Sequence, residues 1–148
     1  MSKSKIEKIA NYSVVFIALS ALIVSVWQVR LYKNHNKLTV KPYLDYHVIQ
    51  EYSNVRVSFS NKGLGPAIIE KMTYEIDGKE YDTILKLLQE KGEQDNILST
   101  YNYSKNSVLS SGEKKEIVSL QNTNFRGIKV TVVYRSIYND KDHLEFSF

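Results

Sequence analysis

Imidazole titrates near neutral pH and is the commonest transition-metal ligand, so His35, His47 and His143 are the first residues to weigh for chemistry. None pairs with a second histidine at helical spacing. His35 flanks an apolar run, His47 alternates onto the outer face of a strand and His143 opens the last one, so all three read as surface histidines. The run Asn-Asp-Lys-Asp at 139–142 offers carboxylates to calcium, but lacks the spacing and the following Glu of a helix-loop-helix calcium loop. A hairpin turn accounts for it better. Glu113 and Glu116 flank Lys114 and Lys115 and read as a solvated strand edge rather than an acid-base pair. "NKGLGP" at 61–66 has the glycines of a phosphate cradle, yet no helix follows whose N-terminus would hold the anion. No Gly-x-Ser-x-Gly elbow, Walker lysine loop or His-Glu-x-x-His is present. With no cysteine, disulfides, thiolate metal sites and cysteine nucleophiles are excluded together. The residues therefore predict a protein without catalytic activity, cofactor or bound metal.

Recognition is the other use of reactive-looking side chains, and the chain has eleven tyrosines. Phenol rings supply rigid contact area with a polar tip, but they are also ordinary strand residues. Tyr43, Tyr46, Tyr74 and Tyr134 fall on strand patterns. Tyr101 and Tyr103 fall in a polar stretch and are the candidate partner-binding residues.

These residues must be positioned by two very different elements. Between Lys8 and Arg30 there is no charged residue. At about 1.5 Å per residue, this run matches the roughly 30 Å of a bilayer's hydrocarbon core. Tyr12 at one end, and Trp27 and Tyr32 at the other, are rings of the kind that settle among headgroups, and Arg30 begins a cationic flank. Small residues are not placed for a signal-peptide cut, because the run ends in Ser-Val-Trp-Gln. We read residues 1–8 as a basic tail, 9–32 as a transmembrane helix, 33–41 as a basic juxtamembrane linker and 42–148 as a folded domain. Ala18, Ala21 and Ser25 share one helix face with a small-xxx-small spacing that would let two such helices meet as a homo-oligomer.

The net charge of +4 belongs to these flanks. Residues 1–41 hold seven of the twenty Lys and Arg against Glu7 alone, leaving thirteen against fifteen acids in the other 107 residues. That balance argues against a nucleic-acid polymer as partner.

After Pro42 the pattern has period two. Leu44, Tyr46 and Val48 share one face, as do Val55, Val57 and Phe59. Residues 67–76 run into Asp77-Gly78, a strong hairpin signal, with 79–81 returning. Ile117 with Ser119 marks a later strand. Ile128, Val130, Val132 and Tyr134 then alternate inward before Leu144, Phe146 and Phe148 return. About seven strands in 107 residues predict an all-β, antiparallel two-sheet sandwich of immunoglobulin-like architecture, with a small barrel as the competing closure. One insertion, residues 82–106, interrupts it. Asp82 is placed to cap a short helix bearing Ile84, Leu85, Leu87 and Leu88 and ended by Gly92, and a packed crossover explains those leucines better than a lid. Residues 93–107 read as an irregular loop with Ile97 and Leu98 pinning a short strand.

The stretch "VRVSFSNKGLGPAIIEKMTYEIDGK", with "SSGEKKEIVSL" later, resembles the strand, Asn-x-Gly-x-Gly turn, strand and Asp-Gly hairpin of bacterial immunoglobulin-like sandwiches of the cell-adhesion-related type. The resemblance covers about Val55 to Lys79 and Ser110 to Leu120, and implies a sandwich that binds or spaces rather than catalyses. Asn61, Gly63 and Gly65 are expected to supply positive-φ backbone in that turn.

Two functions follow as expectations. The first is a single-pass, membrane-anchored binding or scaffolding module, with the lipid bilayer and an unidentified protein or small ligand as partners. The second is a cytoplasm-facing sensor of a cyclic-nucleotide-type ligand, acting as a membrane effector in bacterial antiviral defence and oligomerising through its helix. Cations flank the helix nearly evenly, with a slight tilt toward a cytoplasmic C-terminal domain. An adhesion-type sandwich would face outward.

Overall fold

The computed structural model describes residues 3–121 and 127–148. The chain divides into two compact units, Met1–Leu38 and Thr39–Phe148.

The first unit is one helix, α1, Lys3–Thr39. Its 37 residues make a rod about 55 Å long. It is long and apolar enough to cross a membrane. Ser13, Ser20 and Ser25 donate back to the carbonyls of Ile9, Phe16 and Ala21 at 2.9, 2.8 and 2.8 Å, so these three hydroxyls carry no unmet demand. The basic stretch after Tyr32 stays helical as far as Thr39.

The second unit is two antiparallel sheets. One runs β1 (Leu44–Glu51), β2 (Asn54–Asn61), β7 (Lys114–Leu120) and β5 (Ile97–Thr100). The other runs β4 (Lys79–Tyr81), β3 (Ala67–Ile76), β8 (Lys129–Arg135) and β9 (Lys141–Ser147), with β6 (Ser107–Leu109) also on β3. No strand pairing joins the two sheets among the described residues, so the domain is a sandwich and not a closed barrel. Val55, Val57 and Phe59 face Met72, Tyr74, Val130, Val132 and Tyr134 across one core.

Two bulges explain where period two breaks down. A register shift between Ile69 and Lys71 moves the buried set of β3 from Ala67 and Ile69 to Met72, Tyr74 and Ile76. A second, between Val57 and Ser58, leaves Ile117 as the extra residue of β7, so Val118 and Leu120 point inward. The expected pairing of Ile117 with Ser119 on one face is corrected accordingly. β1 also departs from expectation. Leu44 is buried, but Tyr46 and Val48 remain 41% exposed because β1 lies at the edge of its sheet.

Asn61 organises the turn after β2. It is fully buried, and its Oδ1 accepts from the amides of Tyr43 (3.1 Å) and Gly63 (3.0 Å). Its Nδ2 donates to the carbonyls of Gly65 (2.7 Å) and Leu109 (3.1 Å). Neither Asn61, Gly63 nor Gly65 has positive φ, contrary to the expectation from sequence. The two glycines are needed for close approach instead. A Cβ at Gly63 would overlap backbone at Lys41 and Tyr43, and one at Gly65 would overlap the Val40 carbonyl. By contrast, Asp77 and Gly78 do take φ of 51° and 76°, as a two-residue primed turn requires.

The 82–106 segment is integral to the core. Helix α2, Ile84–Glu90, is capped by Thr83 rather than Asp82, with the threonine hydroxyl accepting from the Lys86 amide. Asp82 pairs with Lys86 Nζ at 2.8 Å. Gly92, at φ 74°, closes a Schellman turn in which Glu93 N donates to Leu88 O at 2.9 Å. Ile84, Leu87 and Leu88 are fully buried, which is the packed crossover expected of them. Residues 93–107 are more regular than their composition suggests. A 3₁₀ turn, Gln94–Asn96, leads into β5 on one sheet, and the chain then crosses to β6 on the other.

Candidate interaction surfaces

β1 and β2 form a hairpin in which Glu51 pairs with Asn54 around Tyr52 and Ser53. Tyr52 sits at φ 51°, a region a bulky residue enters at a cost of about 1–2 kcal/mol and glycine enters freely. Its side chain is fully exposed, so no packing in the domain offsets that cost. Val48 (41%) and Ile49 (36%), on opposite faces of β1 near the same end, are exposed as well. The hairpin end is thus an aromatic-tipped projection, with Tyr52 set among the exposed polar residues Gln50, Glu51, Ser53 and Asn54. A Tyr-Ser turn without glycine gives no sequence signal for it.

Further back, Tyr46 stacks on Phe146 with centroids 4.4 Å apart and planes at 5°, bringing edge strand β1 beside edge strand β9. Each of these edges carries an aspartate that accepts from the next residue's amide. Asp45 Oδ1 accepts from Tyr46 N at 2.9 Å, and Asp142 Oδ1 from His143 N at 2.9 Å. Lys62 holds Asp45 at 2.6 Å and Lys41 holds Asp142 at 3.1 Å. The lysine hydrogen bond lowers the Asp45 pKa; at Asp142 burial pushes upward, but the His143 amide and Lys41 prevail and the net shift is also downward.

Tyr101 and Tyr103 do meet, with centroids 5.0 Å apart. Tyr103 turns inward, edge-on to Phe59 at 5.0 Å, while Tyr101 is 54% exposed and offers its ring to solvent. The Tyr103 hydroxyl is buried without a hydrogen-bond partner. Burial pushes the phenols of both Tyr74 and Tyr103 well up. Because the folded state holds these phenols neutral, their contribution to stability is complete below the ordinary tyrosine value of about 10 and is lost as pH rises beyond it. We expect a spectrophotometric titration at 295 nm to show Tyr74 and Tyr103 ionising only together with unfolding.

The outer side of β4 and α2 forms an open concavity of about 630 Å³ that includes Lys71, Thr73, Lys79, Tyr81 and Lys86. Each lysine has a carboxylate: Lys71 pairs with Glu80 (2.8 Å), Lys79 with Glu90 (2.5 Å) and Lys86 with Asp82. Lys79 Nζ also lies 5.1 Å from the Tyr81 ring centroid.

On the outer face of the first sheet, His47 Nε2 lies 3.1 Å from Ser60 Oγ. Asp140 belongs to the β8–β9 connection, where the Ser136 hydroxyl accepts from the amides of Tyr138 (3.1 Å) and Asp140 (3.3 Å) and Asn139 takes φ 65°, while Asp142 lies on β9 itself. Among the described residues no group of three or more His, Asp and Glu is placed to hold a metal ion. On α1, Tyr12, Trp27, Arg30 and Tyr32 are exposed, as are Ala18, Ala21 and Ser25 along one face. Compared with known protein families and with curated proteins, the chain matches none of either.

Proposed function

We propose that the chain is a single-pass, membrane-anchored β-sandwich that holds a partner near the bilayer through its β1–β2 hairpin and performs no catalysis. The observation carrying this reading is Tyr52, a fully exposed aromatic kept at positive φ where glycine would relieve the backbone. Backbone cost without packing return is the pattern of a residue retained for contact with another molecule. Its sandwich fits the immunoglobulin-like, adhesion-related resemblance, which favours binding over chemistry. A protein or envelope component is the partner class for such a tip, because aromatic and aliphatic anchors at the centre of an interface carry most of its energy.

Tyr52→Gly tests this. The variant is expected to fold as well as the parent or better, by up to about 1 kcal/mol, while losing the partner. A photo-crosslinking residue at position 52 in membranes identifies what it touches. Unchanged partner recovery by Tyr52→Gly would move the contact to Tyr101 or to a sheet face.

A second reading is supported by the β4–α2 concavity, where three lysines converge. In it the domain faces the cytoplasm, senses a small anionic ligand of the cyclic-nucleotide type and alters helix association through Ala18, Ala21 and Ser25, as a bacterial antiviral effector would. Such a ligand must displace three carboxylates from exposed pairs that solvent already screens. Thermal shift of the detergent-solubilised chain with millimolar cyclic nucleotides tests it, and no stabilisation removes it. A topology reporter fused after Phe148 separates the two readings by side.

A further inference from the structure

The helix does not stop where its apolar stretch stops, and that continuation sorts the cations. Arg30, Lys33 and Lys37 lie on α1, and Lys41 lies beyond it. At 100° per residue, the three helical cations fall within an arc of about 60°, on one face. No Asp or Glu occurs between Glu7 and Asp45, so the helix itself supplies Arg30 and Lys33 no counter-charge. All three are exposed.

Their depth is fixed by the helix rise. With Ile9–Val29 filling the hydrocarbon, Arg30 lies at its boundary, Lys33 about 4.5 Å further out and Lys37 about 10.5 Å out. The headgroup layer of each leaflet is roughly 5–8 Å thick, so Arg30 and Lys33 fall inside it and Lys37 just beyond it, within reach of the surface potential. Trp27, one turn below Arg30 and about 60° around the helix, reaches the same layer from beneath. The opposite end differs, because Glu7 stands beside Lys8 there.

We infer that the Arg30, Lys33 and Lys37 face of α1 is a binding site for anionic phospholipid headgroups, recruiting them around the anchor in one leaflet. This rests on the anchor reading above. Guanidinium at the boundary gives a bidentate match to a lipid phosphate, and the lysines add point charge above it. A cation near the surface enriches anionic lipid by about fivefold.

Trp27 is the only tryptophan and lies at the site, so it reports its own lipid neighbours. The full chain is reconstituted in vesicles of phosphatidylcholine and phosphatidylglycerol, with bromine on the acyl chains of one lipid or the other. Brominated phosphatidylglycerol is expected to quench Trp27 as if enriched about fivefold or more over its bulk fraction. The triple variant Arg30→Gln, Lys33→Gln, Lys37→Gln should return that ratio to near one, with quenching by brominated phosphatidylcholine retained as proof of insertion. Lys5→Gln with Lys8→Gln, about 28 Å or more from Trp27 along the axis, should leave the ratio unchanged. Equal quenching by both lipids in the parent chain overturns the inference while leaving the anchor intact. Absence of quenching by either lipid overturns the anchor itself. Sodium phosphate and sodium chloride at matched ionic strength should lower the ratio equally, and a selective loss in phosphate would reassign the site to a soluble anion.

Discussion

Asn61→Ala is expected to destabilise the sandwich by about 3–6 kcal/mol, a large share of the roughly 5–15 kcal/mol that holds a domain of this size together. The variant strips partners from two amides, Tyr43 and Gly63, and two carbonyls, Gly65 and Leu109, around a fully buried side chain. Each buried polar group left unpaired costs about 1–3 kcal/mol, and relaxation with entering water recovers part of the total. Melting followed by tyrosine near-ultraviolet circular dichroism should fall by about 15 °C or more. Asn61→Asp keeps the acceptor but turns a carboxylate toward the carbonyls of Gly65 and Leu109, so it should be no better than alanine at neutral pH. A drop of only a few degrees in both variants would mean that the turn is not held by this side chain.

Gly65→Ala is the second large effect, for a different reason. A methyl at this position overlaps the carbonyl of Val40, and backbone cannot swing aside as a side chain does. Overpacking of this kind costs about 1–3 kcal/mol and more where the neighbour is fixed. The contrast is Gly78→Ala, which meets nothing within 4 Å but must hold φ 76°, at a cost of about 1 kcal/mol. Chemical denaturation should therefore rank Gly65→Ala as the more damaging. The reverse order would show that the segment at Val40 gives way.

This contrast also marks what could be read from the chain alone. The Asp77-Gly78 turn is local, and its two positive φ angles follow from residue type. The glycines of "NKGLGP" look alike on paper but serve a contact made with residues some twenty positions earlier, which no local pattern encodes. Alternation located β2, β8 and β9 because each keeps one face on the core. It misled at β7, where one extra residue at a bulge exchanges the faces, whereas β3 was found with its bounds, 67–76, despite a bulge of its own. Ile97 and Leu98 marked the short strand β5, but β6, three residues long, exists because the edge of β3 was open to it, a long-range cause. The interaction surfaces were less legible still. Tyr101 and Tyr103 were visible as loop aromatics, but Tyr103 is drawn inward by Phe59. Tyr52 left no mark, since its distinction lies in a backbone angle and in the absence of neighbours.

The paired aspartates of β1 and β9 have a consequence for life at high density. Copies confined to a surface meet far more often than copies in bulk, and an open strand margin is where such encounters turn into fibrils. Asp45 and Asp142 occupy amides that an invading strand would have to use, and each is also paired with a lysine. Crowded neighbours can then brush past one another without zipping together.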